Sequence, residues 1–146
     1  MIDRTEILRV ARGYVQVPYQ HQGRGLNGSG LDCLGYIFRV AWDLGLPAED
    51  DATYTPQGDR RALVLACQAQ MVSIPIAEAR PGDVLQIADT SLTCHLAFLG
   101  DGGHPYTLLH ASLKWQRVIE HGYVRPWPAW TIAAYRLPGE IAPWPS

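Results

Sequence analysis

No run of 18 apolar residues occurs in this chain, so no membrane-spanning helix and no membrane insertion are expected. Neither sign of charge dominates. Twelve Lys and Arg stand against fourteen Asp and Glu, a net charge of −2. That balance offers no electrostatic case for nucleic acid or for an anionic bilayer. Metal-ligand spacings are missing too. Nothing resembles C-x2-C or H-x3-H, and Cys94 and His95 are adjacent, so no metal or other cofactor is expected. The three cysteines are an odd number without a repeating spacing. This argues against a disulfide framework and for at least one free thiol. Internal repeats and low-complexity tracts are absent. The first six residues, Met1-Ile2-Asp3-Arg4-Thr5-Glu6, are not a basic region followed by an apolar one. Synthesis in the cytoplasm without a secretory signal is therefore expected.

What is present suits one domain over 1–146. Nearly half of the 146 residues are hydrophobic, enough for an ordinary core at this size. Residues 3–14 read as a helix, with Asp3 and Glu6 spaced as a capping box and Ile7, Leu8, Val10, Ala11 and Tyr14 on one face. Residues 18–32 read as a polar loop rich in glycine. Within it Gly23-Arg24-Gly25-Leu26-Asn27-Gly28 spells G-x-G-x-x-G, but Tyr14–Val17 before it is a poor strand stopped by Pro18. A loop is the better reading than a dinucleotide site. Residues 33–45 read as a buried helix. Leu34, Ile37, Phe38, Ala41 and Leu44 form one apolar face, and Tyr36 and Val40 form a second. An acidic loop over 48–57 and a helix from Asp59 to Met71 follow, with Cys67 a core residue of that helix.

The second half changes period. Asp83–Ala88, His95–Leu99, Tyr106–His110, Arg117–Glu120 and Thr131–Arg136 read as strands, and Asp101-Gly102-Gly103 marks a hairpin between the second and third. Helices first and strands afterwards predict an α+β domain with an antiparallel sheet. Trp127 and Trp130 fall in an irregular proline-rich stretch and read as local packing.

The chemistry centres on Cys33. A cysteine opening a buried helix meets free backbone N–H groups and the positive end of the helix dipole, which lower a thiol pKa and favour a nucleophile. A nucleophile needs a base, and the base needs an orienting partner. His95 begins one strand and His110 ends the next, so a hairpin brings them to the same end of neighbouring strands. His104 lies in the turn, while His21 and His121 fall in loops without that geometry.

Five stretches resemble the NlpC/P60 family of cysteine peptidases, which cleave peptidoglycan stem peptides. They are Val17-Pro18-Tyr19 with Gln22-Gly23, Asp32-Cys33-Leu34-Gly35, Arg80-Pro81-Gly82-Asp83-Val84-Leu85, His95-Leu96-Ala97-Phe98-Leu99-Gly100 and Leu109-His110-Ala111-Ser112. Their order matches and they span almost the whole chain. The resemblance implies a papain-like α+β fold, with N-terminal helices packed on the sheet, and a Cys-His-His triad. In it Cys33 attacks, His95 serves as base and acid, and His110 orients His95. The positions of Tyr19, Asp32 and Leu34 belong to the substrate site. Leu34 stands where the family has Ser, which leaves the bond cleaved open. D-C-L-G with P-Y-x-H-Q-G upstream most resembles the phage-tail and gene-transfer-agent subgroup. That implies a tail hub or baseplate partner, a place in a particle tail, and action on the D-Glu–diamino acid amide in the periplasm or wall. Two other readings stay open. One is a tail-tip or wall-binding part that keeps the fold without activity. The other is an amidase or acyltransferase on the same scaffold.

Overall fold

The computed structural model describes residues 1–50, 60–88 and 94–145. The first helix, α1 (Arg4–Arg12), is capped by Asp3, whose carboxylate accepts from the Thr5 N–H at 2.9 Å. Glu6 turns along the helix to Arg9 instead of completing a capping box. Ile7, Leu8 and Ala11 form the buried face. Arg4 is buried as well, and it pairs with Asp83 at 3.0 Å. Asp83 also accepts two bonds of 2.9 Å from Arg136. One buried carboxylate therefore ties α1 to two distant parts of the chain.

The central helix, α2 (Cys33–Asp43), is buried on two faces as its periodicity predicts, and Tyr36 on it donates to the Ala11 carbonyl of α1 at 2.7 Å. Arg39 and Asp43 pair on the remaining face at 2.8 Å. A third helix, α3 (Arg60–Gln70), carries Cys67 into the core. Residues 51–57 of the expected acidic loop, and Asp59 at the expected helix start, lie outside the described residues. Among those described, no helix is long and apolar enough to cross a membrane.

Among the described residues six strands form one sheet: β1 (Val72–Ile74), β2 (Val84–Ala88), β3 (Cys94–Gly100), β4 (Thr107–Ser112), β5 (Arg117–Gly122) and β6 (Thr131–Arg136). Their order is β1-β6-β2-β3-β4-β5, antiparallel at each pairing. This is the α+β architecture that the change of period predicts. β1 is an addition; three residues with exposed Val72 and Ser73 carry too little pattern to read as a strand. β5 runs two residues past the expected end, to Gly122, because β4 pairs with it from Thr107↔Gly122 to Ser112↔Arg117. A four-residue helix, α4 (Trp127–Trp130), precedes β6.

The sheet is covered on both faces. Val84, Leu96, Phe98 and Leu109 pack against α1 and α2, while Leu85, Ile87, Ala97, Leu99 and Leu108 form a second cluster on the other side with Trp127 and Trp130 at its edge. Burial on two faces is why β2, β3 and β4 read as continuous apolar runs.

Candidate active site

Pairing between β3 and β4 covers only Gly100↔Thr107, Leu99↔Leu108 and Phe98↔Leu109. Toward Cys94 and Ser112 the two strands part, and the start of α2 sits at this opening. Asp32 fixes that start. Its carboxylate accepts from the Gly35 N–H at 2.7 Å, as an N-cap residue does. It also accepts from the Gln22 N–H at 2.8 Å and pairs with Arg24 at 3.2 Å. The glycine-rich loop is thereby pinned against the helix. The loop packs with no room for side chains at Gly23, Gly30 and Gly35, where an added Cβ would overlap neighbouring backbone.

Cys33 is the first residue of α2 and is half-buried. The backbone N–H groups of Leu34 and of Leu96 on β3 bond to its sulfur and favour the thiolate, but they do not prevail. Burial, then the Asp32 carboxylate beside it, push the thiol up to about 12. The activation expected from the helix start is thus corrected. A single turn of N–H groups is outweighed by loss of water and by a neighbouring negative charge. At neutral pH the resting group is the thiol, so its proton must leave by way of a base.

His95 follows Cys94 at the opening, next to Leu96, whose N–H meets the Cys33 sulfur. Its Nε2 lies 2.6 Å from Nδ1 of His110. The rings stand edge to face, with centroids 4.7 Å apart. His110 is buried. Loss of water, then the His95 and His121 rings beside it, hold its pKa down at about 2, so it is neutral over the ordinary pH range. Its other nitrogen, Nε2, lies 2.7 Å from Nε2 of His121. The structure therefore extends the expected His95–His110 pair by a third ring. The sequence places His121 in a loop after the expected strand end at Glu120, whereas β5 continues through it to Gly122. The signal that does find it is its pairing with Leu108, which turns it to the same face as His110. The Trp127 ring lies 5.3 Å from His110 and 4.8 Å from His121 and covers both.

Of the expected substrate residues, Tyr19 lies close to Cys33. Burial, then Cys33 and Asp32 nearby, push its phenol up to about 12. Asp32 is 1 % exposed and serves the helix start and the loop. Leu34 is 1 % exposed and packs with Ile37, Phe38 and Ala41 in the core, so a substrate contact at this position falls to its backbone rather than its side chain. A cavity of about 480 Å³ lies beyond the histidines, lined by His110, Lys114, Trp115, Arg117, His121 and Trp127 among others. Among the described residues no group of three or more His, Cys, Asp or Glu is placed to hold a metal.

Neither a family model nor a curated protein matches the sequence. Solved structures match it in fold. The NlpC/p60 domain of the peptidoglycan hydrolase SagA superposes with a TM-score of 0.62 at 22% identity, covering 93% of this chain and 100% of that one. The P60 domain of the antigen MAP1204 from M. avium subspecies paratuberculosis gives 0.64 at 19% identity, covering 94% and 96%. The peptidoglycan hydrolase RipB from Mycobacterium tuberculosis gives 0.62 at 22% identity, covering 91% and 63%. The α+β fold of this chain is that of NlpC/P60 domains.

Proposed function

We propose that this chain is a cysteine peptidase of peptidoglycan stem peptides, working through Cys33, His95 and His110. The observation that carries the reading is the 2.6 Å contact between His95 and His110, set at the opening where α2 presents Cys33. The Leu96 N–H, on the residue after His95, bears on the Cys33 sulfur, which brings the paired imidazoles and the thiol to one end of β3. The neighbours described as peptidoglycan hydrolases point to the substrate class.

Nδ1 of His95 takes the Cys33 proton as the sulfur attacks the amide carbonyl carbon. N–H groups at the start of α2 stabilise the oxyanion. His95 then gives its proton to the leaving amine as the C–N bond breaks, leaving a thioester. Water attacks that thioester, with His95 again as base, and releases the free acid and the Cys33 thiol. Tyr19 stands at the substrate side. The D-Glu–diamino acid amide is the bond proposed, and delivery by a phage tail or gene transfer agent baseplate, bound to its hub, is the proposed setting. These two points rest on the D-C-L-G and P-Y-x-H-Q-G stretches.

Digestion of purified Gram-negative sacculi by the wild type and by Cys33→Ala, read by mass spectrometry, tests the reading. New stem-peptide fragments from the wild type alone are expected, and their masses identify the bond. Fragments from both proteins would overturn the role of Cys33. Fragments from neither, even with the assembled particle, would favour the structural or wall-binding reading.

A further inference from the structure

The three imidazoles end on a group whose role is not negotiable. Nδ1 of His121 lies 2.9 Å from the Gly122 carbonyl oxygen. A carbonyl only accepts, so Nδ1 carries the hydrogen. When the His121 ring is neutral it holds one N–H, and Nε2 is then a lone pair. That lone pair faces Nε2 of His110 at 2.7 Å, so His110 must donate from Nε2. His110 is kept neutral by burial and by its two neighbours, and its Nδ1 is therefore a lone pair. This nitrogen faces Nε2 of His95 at 2.6 Å, and His95 must donate in turn. The lone pair of neutral His95 then falls on Nδ1.

We infer that His121 is a positioning residue which, through His110, sets the tautomer of His95 and so places the basic lone pair on Nδ1. The inference extends the peptidase reading, since it assumes that His95 is the base, but the order of protons follows from the three contacts and neutral rings. When His95 takes the thiol proton it keeps its Nε2–H, so no bond in the series has to reverse during turnover. The opposite order would be disabling. If His110 donated from Nδ1, neutral His95 would carry its hydrogen on Nδ1 and could not accept there. A group at position 121 that only donates forces that opposite order. Trp127 lies over one side of His110 and His121, with ring centroids 5.3 and 4.8 Å away, and limits how far the two rings can turn.

The test measures nitrogen NMR of the full chain with labelled histidines, which distinguishes protonated from lone-pair ring nitrogens. The wild type is expected to show hydrogen on Nε2 of His95, Nε2 of His110 and Nδ1 of His121. Hydrogen on Nδ1 of neutral His95 would overturn the inference without any variant. Two substitutions then separate donors from acceptors. His121→Gln offers an amide oxygen to His110, and it is expected to keep the wild-type order at His95 and most of the kcat. His121→Lys only donates. It is expected to move the hydrogen of His95 to Nδ1 and to lower kcat about 100-fold, the scale of a lost general base, with KM little changed. An unchanged His95 tautomer in a folded Lys variant would overturn the inference. Because the spectra need no turnover, an inactive wild type with the expected order would count against the peptidase and leave the relay standing.

Discussion

The Asp32 carboxylate accepts the Gly35 N–H at 2.7 Å while its charge bears on the Cys33 thiol between them in sequence. One residue thus builds the nucleophile's helix and opposes the nucleophile's ionisation. Asp32→Asn separates the two effects. The amide oxygen can still cap the helix, but the charge that raises the Cys33 pKa is gone. Alkylation of Cys33 by iodoacetamide at pH 8 is expected to become faster than in the wild type. Stability is expected to fall by about 1–3 kcal/mol, because the buried Arg24 loses a charged partner. Mass spectrometry and urea titration measure the two. Slower alkylation in the variant would contradict the placement of that charge.

The three thiols should also differ among themselves. Cys33 is half-buried, whereas Cys67 and Cys94 are buried. In the native protein only Cys33 is expected to react. With its thiol pushed up to about 12, its rate should climb steadily with pH between 7 and 10, since the thiolate fraction grows about tenfold per pH unit below the pKa. A plateau starting near neutral pH would show instead a preformed thiolate. Cys33→Ala should abolish turnover and change the melting temperature little, as the side chain is only partly enclosed.

Much of this arrangement is legible in the sequence. The change from helical to alternating period gives the order of elements, and the hairpin at Asp101-Gly102-Gly103 brings His95 and His110 to one end. Leu34 was legible as well. It shares an apolar face with Ile37, Phe38 and Ala41, and that spacing already places it in the core. Two features were hidden for physical reasons. His121 depends on strand pairing that continues through Glu120 and Gly122, residues with weak strand preference of their own. The raised thiol depends on burial and on a charge brought close by the loop, and neither follows from a helix start alone.

His110 makes the fold acid-sensitive. Its folded pKa, about 2, lies below its ordinary 6.5, so the unfolded chain takes up a proton that the folded one refuses. The stabilisation is complete above pH 6.5 and is lost as pH falls toward 2. The slope approaches about 1.4 kcal/mol per pH unit. Urea titrations at pH 7, 6, 5 and 4 on the wild type and on His110→Gln are expected to differ by that slope, with the variant flatter. Parallel curves would mean that His110 is protonated in the folded state.

Gly35 and Gly28 lie in one region and should answer differently to alanine. A Cβ at Gly35 would overlap the Gly23 carbonyl oxygen and approach Arg24 and Asp32 at 2.9 and 3.0 Å. The obstruction is backbone on one side and a buried ion pair on the other, so the loop must lift from the start of α2. Gly35→Ala is expected to cost about 1–3 kcal/mol, as overpacking does. It should also lower kcat on stem peptides, because a displacement near 1 Å at the nucleophile is worth about 100-fold. At Gly28 nothing lies within 4 Å, and the only obstacle is a φ of 78°. Gly28→Ala should therefore cost about 1 kcal/mol of backbone strain and leave kcat near the wild-type value. If the two variants lost activity equally, close packing of the loop on α2 would not be what holds Cys33 in place.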